Sequence, residues 1–420
     1  MGAVLVGGRE KLKKGDLLDL AGLEVTTDPE DPRRAFEKAL RRHAADAVFD
    51  LSDEPVLDYR RRLALASIAL SLEVRYEGAD FTLDPLGREA LCEKPSMAII
   101  GTGKRTGKTA VSGAIARTLK EAGRAPVIVA MGRGGPPEPD VLRGDEVELN
   151  PRDLLALADA GMHAGSDYVE DALLGRVPTV GCRRCGGGLG GKVGVSNVPA
   201  GVALANDLPG DLIILEGSGS AVPPAQADVT GLVMPASVPL EYLRGYLGPL
   251  RLLLSDYVVI TMCEEPFGSP SQISEILSAV RDSYRTSGRE EIRVVRTVFR
   301  PLPTRDVAGR RVFVATTAPE EAADPMRSHL QETFDCEVVG FTHSLSDREV
   351  LEEELAKMSD TADTLLCEIK AAGIDVATRR ALEHDLDVVY MDNAPVGIEG
   401  EDPAETYRWA ADLAAARFGG

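Results

Sequence analysis

Cysteine is scarce in this chain. Six cysteines in 420 residues are too few for a disulfide framework. Long apolar runs are missing as well. None approaches the ~20 residues that a membrane-spanning helix requires. The start, Met1-Gly-Ala-Val-Leu-Val-Gly-Gly8, has neither the basic opening nor the long apolar stretch of a signal peptide. Positive charge is in deficit: 47 Lys and Arg stand against 67 Asp and Glu, for a net charge of −20 and a pI near 4.8. A duplex-binding surface needs cations to displace counterions, so nucleic acid and anionic membranes are excluded as partners. Small anions are not, because a buried site sets its own local field. No repeat of fixed period and no low-complexity tract is visible, and the five histidines form no cluster in sequence. These absences point to a cytoplasmic enzyme.

What is present is enough apolar material, 44% of residues, to build real cores. The length suits about two or three domains of ~100–200 residues. Apolar strands alternate with amphipathic helices, the pattern of doubly wound α/β architecture. The expected fold is α/β: a central P-loop NTPase-type parallel sheet flanked by smaller N- and C-terminal α/β (Rossmann-like) domains. An N-terminal α/β domain is expected over 1–92, with helices over about Pro32–His43 and Val56–Leu72, and a linker over Asp80–Ser96. The nucleotide-binding core is expected over 93–302, and its stretch between Gly132 and Gly210 is the least regular. Pro301–Pro303 reads as the boundary to a C-terminal α/β domain over 303–420.

The strongest motif is Gly101-Thr-Gly-Lys-Arg-Thr-Gly-Lys108-Thr109. An apolar strand precedes it and a helix follows, the context that a phosphate-binding loop requires. Glycines let backbone N–H groups turn toward phosphates, and the helix N-terminus adds its dipole. Thr102, Gly103, Lys104, Arg105, Thr106, Gly107, Lys108, Thr109 and Ala110 form the expected nucleotide cradle. Lys108, with Lys104 or Arg105, would stabilise the γ-phosphoryl group, and Thr109 would ligate Mg²⁺. The loop departs from G-x-x-x-x-G-K-[ST] in having Thr102 at the first glycine position. A metal-holding acid is expected after another strand, and Asp211-Leu-Ile-Ile-Leu-Glu216-Gly-Ser-Gly supplies Glu216. The Thr102 variant and this Glu-Gly-Ser-Gly ending resemble the dethiobiotin-synthetase-like branch of P-loop enzymes. Partition-type ATPases carry a signature lysine at the position of Thr102, so the chain does not match them there.

Three further segments can hold anions. Ala130-Met-Gly-Arg133-Gly-Gly-Pro-Pro-Glu138 presents a guanidinium on bare backbone, suited to phosphate or carboxylate. Gly181-Cys182-Arg183-Arg184-Cys185-Gly-Gly-Gly-Leu-Gly-Gly-Lys192 reads as an anion-binding loop with Arg183, Arg184 and Lys192 as donors. Its single C-x-x-C supplies only two of the four ligands of a structural zinc. His163 or a second subunit would have to complete one, and a redox pair or a turn with buried thiols stays open. Cys367-Glu368-Ile-Lys370-Ala-Ala-Gly-Ile-Asp375 sits at a strand end, where open α/β sheets place ligands. Lys370 is the candidate contact and Asp375 a candidate helix cap. Arg300, after a strand and beside Pro301, is a weaker candidate.

In this order, Gly-Thr-Gly-Lys-Arg-Thr-Gly-Lys-Thr, Met-Gly-Arg-Gly-Gly-Pro-Pro-Glu-Pro, Gly-Cys-Arg-Arg-Cys-Gly-Gly-Gly, Glu-Gly-Ser-Gly-Ser-Ala-Val-Pro-Pro, Thr-Val-Phe-Arg-Pro-Leu-Pro and Glu-Ile-Lys-Ala-Ala-Gly-Ile-Asp resemble the cyclic 2,3-diphosphoglycerate synthetase family. The likeness runs from Ala3-Val-Leu-Val-Gly-Gly-Arg-Glu-Lys-Leu12 and Leu51-Ser-Asp-Glu-Pro-Val-Leu57 to Asp392-Asn393-Ala-Pro395. It implies a further strand ahead of Gly7, so a shortened N-terminal domain is expected. The resemblance implies ATP-dependent closure of 2,3-diphosphoglycerate into a cyclic phosphoanhydride, with release of ADP and phosphate. ATP and Mg²⁺ are the implied cofactors, with a monovalent cation as an optional third. A homodimer is expected, with a small phosphorylated acid as the partner molecule. Arg133, Arg183, Arg184, Lys192 and Lys370 would hold the acid. Two alternatives stay open: a kinase or ligase acting on another small phosphorylated acid, and a nucleotide-gated regulatory ATPase.

Overall fold

The computed structural model describes residues 1–7, 22–28, 30–148, 150–161, 164–286, 292–356 and 361–419. In the N-terminal part, β1 (Gly2–Val4) pairs β2 (Glu24–Thr26). Then come α1 (Pro32–His43), β3 (Ala47–Phe49), α2 (Tyr59–Ser71), β4 (Arg75–Glu77) and β5 (Thr82–Leu83), the last in the expected linker. Asp31 caps α1 and Asp58 caps α2, each accepting from a first-turn backbone N–H, as acidic N-caps do. Most of Gly7-Gly-Arg-Glu-Lys-Leu12 lies outside the described residues, as does His163.

The middle part runs β6 (Ser96–Gly101), α3 (Lys108–Glu121), β7 (Pro126–Gly132), β8 (Asp140–Arg143), α4 (Pro151–Asp159), α5 (Asp167–Gly175) and β9 (Pro178–Cys185). It continues with β10 (Val195–Ser196), α6 (Val198–Asp207), β11 (Leu212–Glu216), β12 (Val229–Pro235), α7 (Leu240–Arg244), α8 (Gly248–Leu253), β13 (Tyr257–Thr261), α9 (Pro270–Thr286) and β14 (Arg293–Pro303). The C-terminal part adds β15 (Arg311–Ala315), α10 (Ala323–Phe334), β16 (Glu337–Thr342), α11 (Arg348–Leu355) and β17 (Thr364–Glu368). A π turn (Gly373–Thr378) follows, then α12 (Arg379–Glu383), β18 (Asp387–Gly397) and α13 (Pro403–Phe418).

One sheet spans both of these parts, in the order β10-β9-β7-β11-β6-β12-β13-β14-β18-β17-β15-β16, with β8 on β9. Its central strands are parallel and read as unbroken apolar runs, because helices cover both faces. On one face α3 and α13 bury Val111, Ile115, Ala410 and Ala414 against Met97, Ile99 and Ile214. On the other, α6 and α9 bury Val202 and Ile276 against Ile100, Val129 and Leu215. Pro301–Pro303, read from sequence as a boundary, lies at the end of β14, whose far half pairs antiparallel with β18 from Thr297↔Gly397 to Pro303↔Met391. Prolines are tolerated there because this half of β14 pairs with β18 alone, the pairing with β13 having ended at Arg296, and an edge position needs no second ladder N–H. The C-terminal core also takes in Leu154, Val169 and Leu174 from α4 and α5. The N-terminal core takes in Leu247 and Leu250 from the α7–α8 region.

Candidate active site

The loop between β6 and α3 is built around Gly107, which caps α3 at φ 88°. Only glycine reaches that region without penalty, and a Cβ there would also lie 2.2 Å from the Phe299 ring. Lys108 is buried, and its Nζ donates to Gly103 O at 2.9 Å, closing the loop on itself. Burial pushes the Lys108 ammonium down from its ordinary range, with Glu216 pulling it back up. Thr106 is buried and held through its carbonyl by Thr261 Oγ1 at 2.9 Å.

Glu216 ends β11, the strand beside β6, and is 2% exposed. Thr109 Oγ1 donates to its Oε1 at 2.8 Å. The two residues expected to hold a cation are therefore in contact. The other oxygen, Oε2, is buried and has no hydrogen-bond donor among the described residues. An orphaned carboxylate oxygen beside a P-loop hydroxyl fits Mg²⁺, which takes one or two carboxylates and completes its shell with phosphates and water.

The sequence reading missed what faces Glu216. Helix α5 carries Asp167, Glu170 and Asp171. Asp171 is 1% exposed and its carboxyl meets that of Glu216. Burial pushes Asp171 upward, and the charge of Glu216 adds to it; burial raises Glu216 too. Burial lifts Glu170 to about 7 against the pull of Lys370. Asp167, Glu170 and Asp171 at i, i+3 and i+4 read from sequence as a solvated helix face, and only the packing of α5 buries Glu170 and Asp171.

The expected anion donors divide into three groups. Lys104, Arg105 and Arg133 are exposed, with no hydrogen bond or ion pair among the described residues. Arg184 is buried: Nη1 donates to Gly186 O at 2.9 Å and Nη2 to Ser218 O at 2.8 Å. Burial, then the nearby Arg133 charge, pushes its guanidinium down. A Cβ on Gly219 would lie 3.4 Å from Arg184 Nη2 and 3.5 Å from Lys104 Cγ, so the P-loop and the end of β9 converge there. Arg183 donates from Nε to Gly135 O at 2.5 Å. Gly135 presses on β9 so closely that a Cβ would lie 2.0 Å from Cys182 O. Arg183 thus ties the Arg133 loop to the strand.

Other expectations meet different surroundings. Cys182, Arg183, Arg184 and Cys185 lie on strand β9, not in a loop; only the segment up to Lys192 turns back, through Gly188 N to Lys192 O at 2.8 Å. Strand alternation sends residues three apart to opposite faces. Cys182 is accordingly buried and Cys185 exposed, which separates the thiols of the C-x-x-C. The Lys192 side chain is exposed. Lys370 ends in an ion pair with Glu170 at 2.6 Å, and Glu368 accepts from Thr316, Thr317 and Asn393. Asp375 caps no helix: it lies within the π turn and pairs with Arg348 at 2.7 Å. Arg300 is engaged by both oxygens of Glu264, at 2.6 and 2.7 Å. Beside Arg133 lies a cavity of about 410 Å³, walled by Gly132, Gly134, Ser166, Asp167, Ala371 and Ile374.

A phosphate loop between β6 and α3, with an acid on the neighbouring strand, defines a P-loop nucleotide-binding enzyme. The family description "Cyclic 2,3-diphosphoglycerate synthetase, P-loop domain" matches residues 96–298, and the N- and C-terminal domains of the same synthetase match 1–84 and 303–394. The chain belongs to the cyclic 2,3-diphosphoglycerate synthetase family, as its motifs indicated. A protein of that name from Rubrobacter xylanophilus is 46% identical over 402 residues, 96% of this chain and 88% of its own length. One from Methanothermobacter thermautotrophicus is 43% identical over 403 residues, 94% of this chain and 86% of its own. Among solved structures, LpxK from Aquifex aeolicus in complex with ATP aligns over 79% of this chain and 90% of its own, at 14% identity and TM-score 0.44. That is too distant to carry an argument. Among the described residues, no helix is long and apolar enough to cross a membrane.

Proposed function

We propose that the protein closes 2,3-diphosphoglycerate into its cyclic phosphoanhydride in the cytoplasm, using ATP and Mg²⁺ and releasing ADP and phosphate. The observation that carries this reading is the convergence of Lys104 and Arg184 on Gly219, beside the Thr109–Glu216 contact. Cations suited to an acceptor phosphate then adjoin the groups suited to ATP. The names of the relatives supply the acid.

An oxygen of one substrate phosphate attacks the γ-phosphorus, and the bond to ADP breaks. An oxygen of the neighbouring phosphate then attacks the activated phosphorus. The new anhydride bond forms as inorganic phosphate leaves. Both reactants are polyanions, so positioning and charge neutralisation supply most of the catalysis. Lys108 with Lys104 or Arg105 stabilises the transferring group, while Arg133 holds the acid, with the adjacent cavity as its room, and a contact by Arg184 requires its fork to leave Gly186 and Ser218. Arg183 keeps the Arg133 loop in place. A substrate contact by Lys370 requires its pair with Glu170 to open, and one by Lys192 requires its exposed side chain to fold inward. Thr109 and Glu216 would hold Mg²⁺, which neutralises phosphate charge.

Phosphorus NMR of protein, Mg²⁺, ATP and 2,3-diphosphoglycerate tests the reading. A phosphoanhydride resonance from the acid, with ADP and phosphate in equal amounts, is expected. A new phosphate ester would instead make the protein a kinase, and ATP turnover indifferent to the acid would make it a regulator. Sedimentation velocity tests the homodimer.

A further inference from the structure

We infer that Asp171 is the second carboxylate of the divalent-cation site, facing Glu216 across it; this rests on the nucleotide reading above. Asp171 sits in the middle of α5, which packs against α3 and strands β7 and β9. It is 1% exposed, and neither of its oxygens has a hydrogen-bond donor among the described residues. Glu216 Oε2 is orphaned in the same way. Burying a carboxylate without a partner is costly, and here two are buried against each other.

The neighbouring positive charges are directed elsewhere. Lys108 Nζ donates to Gly103 O and Thr106 Oγ1, at 2.9 and 3.4 Å. The fork of Arg184 is committed to Gly186 and Ser218, and Lys370 is paired with Glu170. Glu216 is meanwhile fixed by Thr109 through Oε1, which leaves Oε2 buried without a donor among the described residues. Two hard oxygen donors without hydrogen, next to a P-loop hydroxyl, suit a small divalent cation that takes its remaining ligands from phosphate and water. Asp167, exposed at the mouth of the cavity, is not needed for this site.

The competing account is that Asp171 merely packs, bonded to Glu216 through a retained proton. Asp171→Asn separates the two, because its amide can still donate to Glu216 while losing the charge. The probe is Mn²⁺ with ADP, followed by electron paramagnetic resonance on the full-length protein. We expect Asp171→Asn to weaken Mn²⁺ binding to the ADP complex about 10–100-fold, the range seen when support of a metal site is lost. ADP affinity in EDTA should stay at the wild-type value, and metal-free Tm should hold or rise. Wild-type Mn²⁺ affinity and spectrum in the variant would overturn the assignment, as would a metal-free Tm lowered with no change in Mn²⁺ binding. If wild type itself fails to bind Mn²⁺ with ADP, the nucleotide reading falls and takes this inference with it. Asp171→Ser is a second variant, with the same outcomes, should Asn misfold.

Discussion

Lys370 Nζ lies 2.6 Å from Glu170 Oε2, fastening the loop after β17 to helix α5. Next to it, Arg117 of α3 pairs with Asp392 of β18 at 2.6 Å. The C-terminal strands are thus clamped onto the same helices that shape the nucleotide site. Removing one partner of a buried pair costs more than removing both. The Lys370 side chain is 35% exposed, so Lys370→Ala should destabilise the protein by about 1–2 kcal/mol in urea unfolding, and Lys370→Met with Glu170→Leu should recover most of it. If both lose equally, the pair is not the clamp.

The raised Glu170 sets a pH dependence. Its folded value is about 7 against an ordinary 4.5, so the folded state binds the proton more tightly. Its contribution to stability is full below pH 4.5 and fades as pH rises through 7. The slope is at most about 1.4 kcal/mol per pH unit for one group. Unfolding free energy measured from pH 5 to 8 should fall less steeply in Glu170→Gln than in wild type. Parallel curves would remove Glu170 as a source.

Lys108 carries the charge nearest the expected γ-phosphoryl position. Lys108→Ala should cut kcat by about 10²–10⁴, the scale of other preorganised electrostatic groups. Near-normal turnover would defeat the loop assignment.

Arg133 and Arg183 should separate kinetically. Arg133 is exposed and free to meet the acid, so Arg133→Ala should raise KM for 2,3-diphosphoglycerate about 10-fold, a loss of ~1.4 kcal/mol, with KM for ATP nearly unchanged. Arg183 holds Gly135 O, so Arg183→Ala should loosen the loop and lower kcat as well. Equal shifts in both Michaelis constants for Arg133→Ala would place that residue elsewhere.

Much of this was readable from residue order. Strand, glycine loop and helix around Lys108 follow from local chemistry, as do the apolar strands Leu212–Glu216 and Tyr257–Thr261. Helix α1 spans Pro32–His43, where its pattern predicted it. Strand β9 was missed because Gly181 and the two arginines interrupt its apolar run. Only the tertiary setting turns Arg184 inward, onto Ser218. The acids of α5 were missed for a related reason. A carboxylate in sequence reads as solvated surface, and only the packing of α5 against α3 and β7 makes Asp171 a buried one. Lys370 shows the converse: a cation at a strand end invites a ligand, yet Glu170, 200 residues away in sequence, already occupies it.

Because β14 hands the chain from its pairing with β13 to its pairing with β18 without interruption, no pivot lies between the two larger parts of the molecule. A swing of one against the other would have to tear a hydrogen-bonded ladder. In the proposed reaction, excluding water would fall to the loops around Gly103, Gly134 and Gly187 or to the N-terminal part, whose strands lie outside this sheet. Two polyanions would then be gathered against a stationary floor.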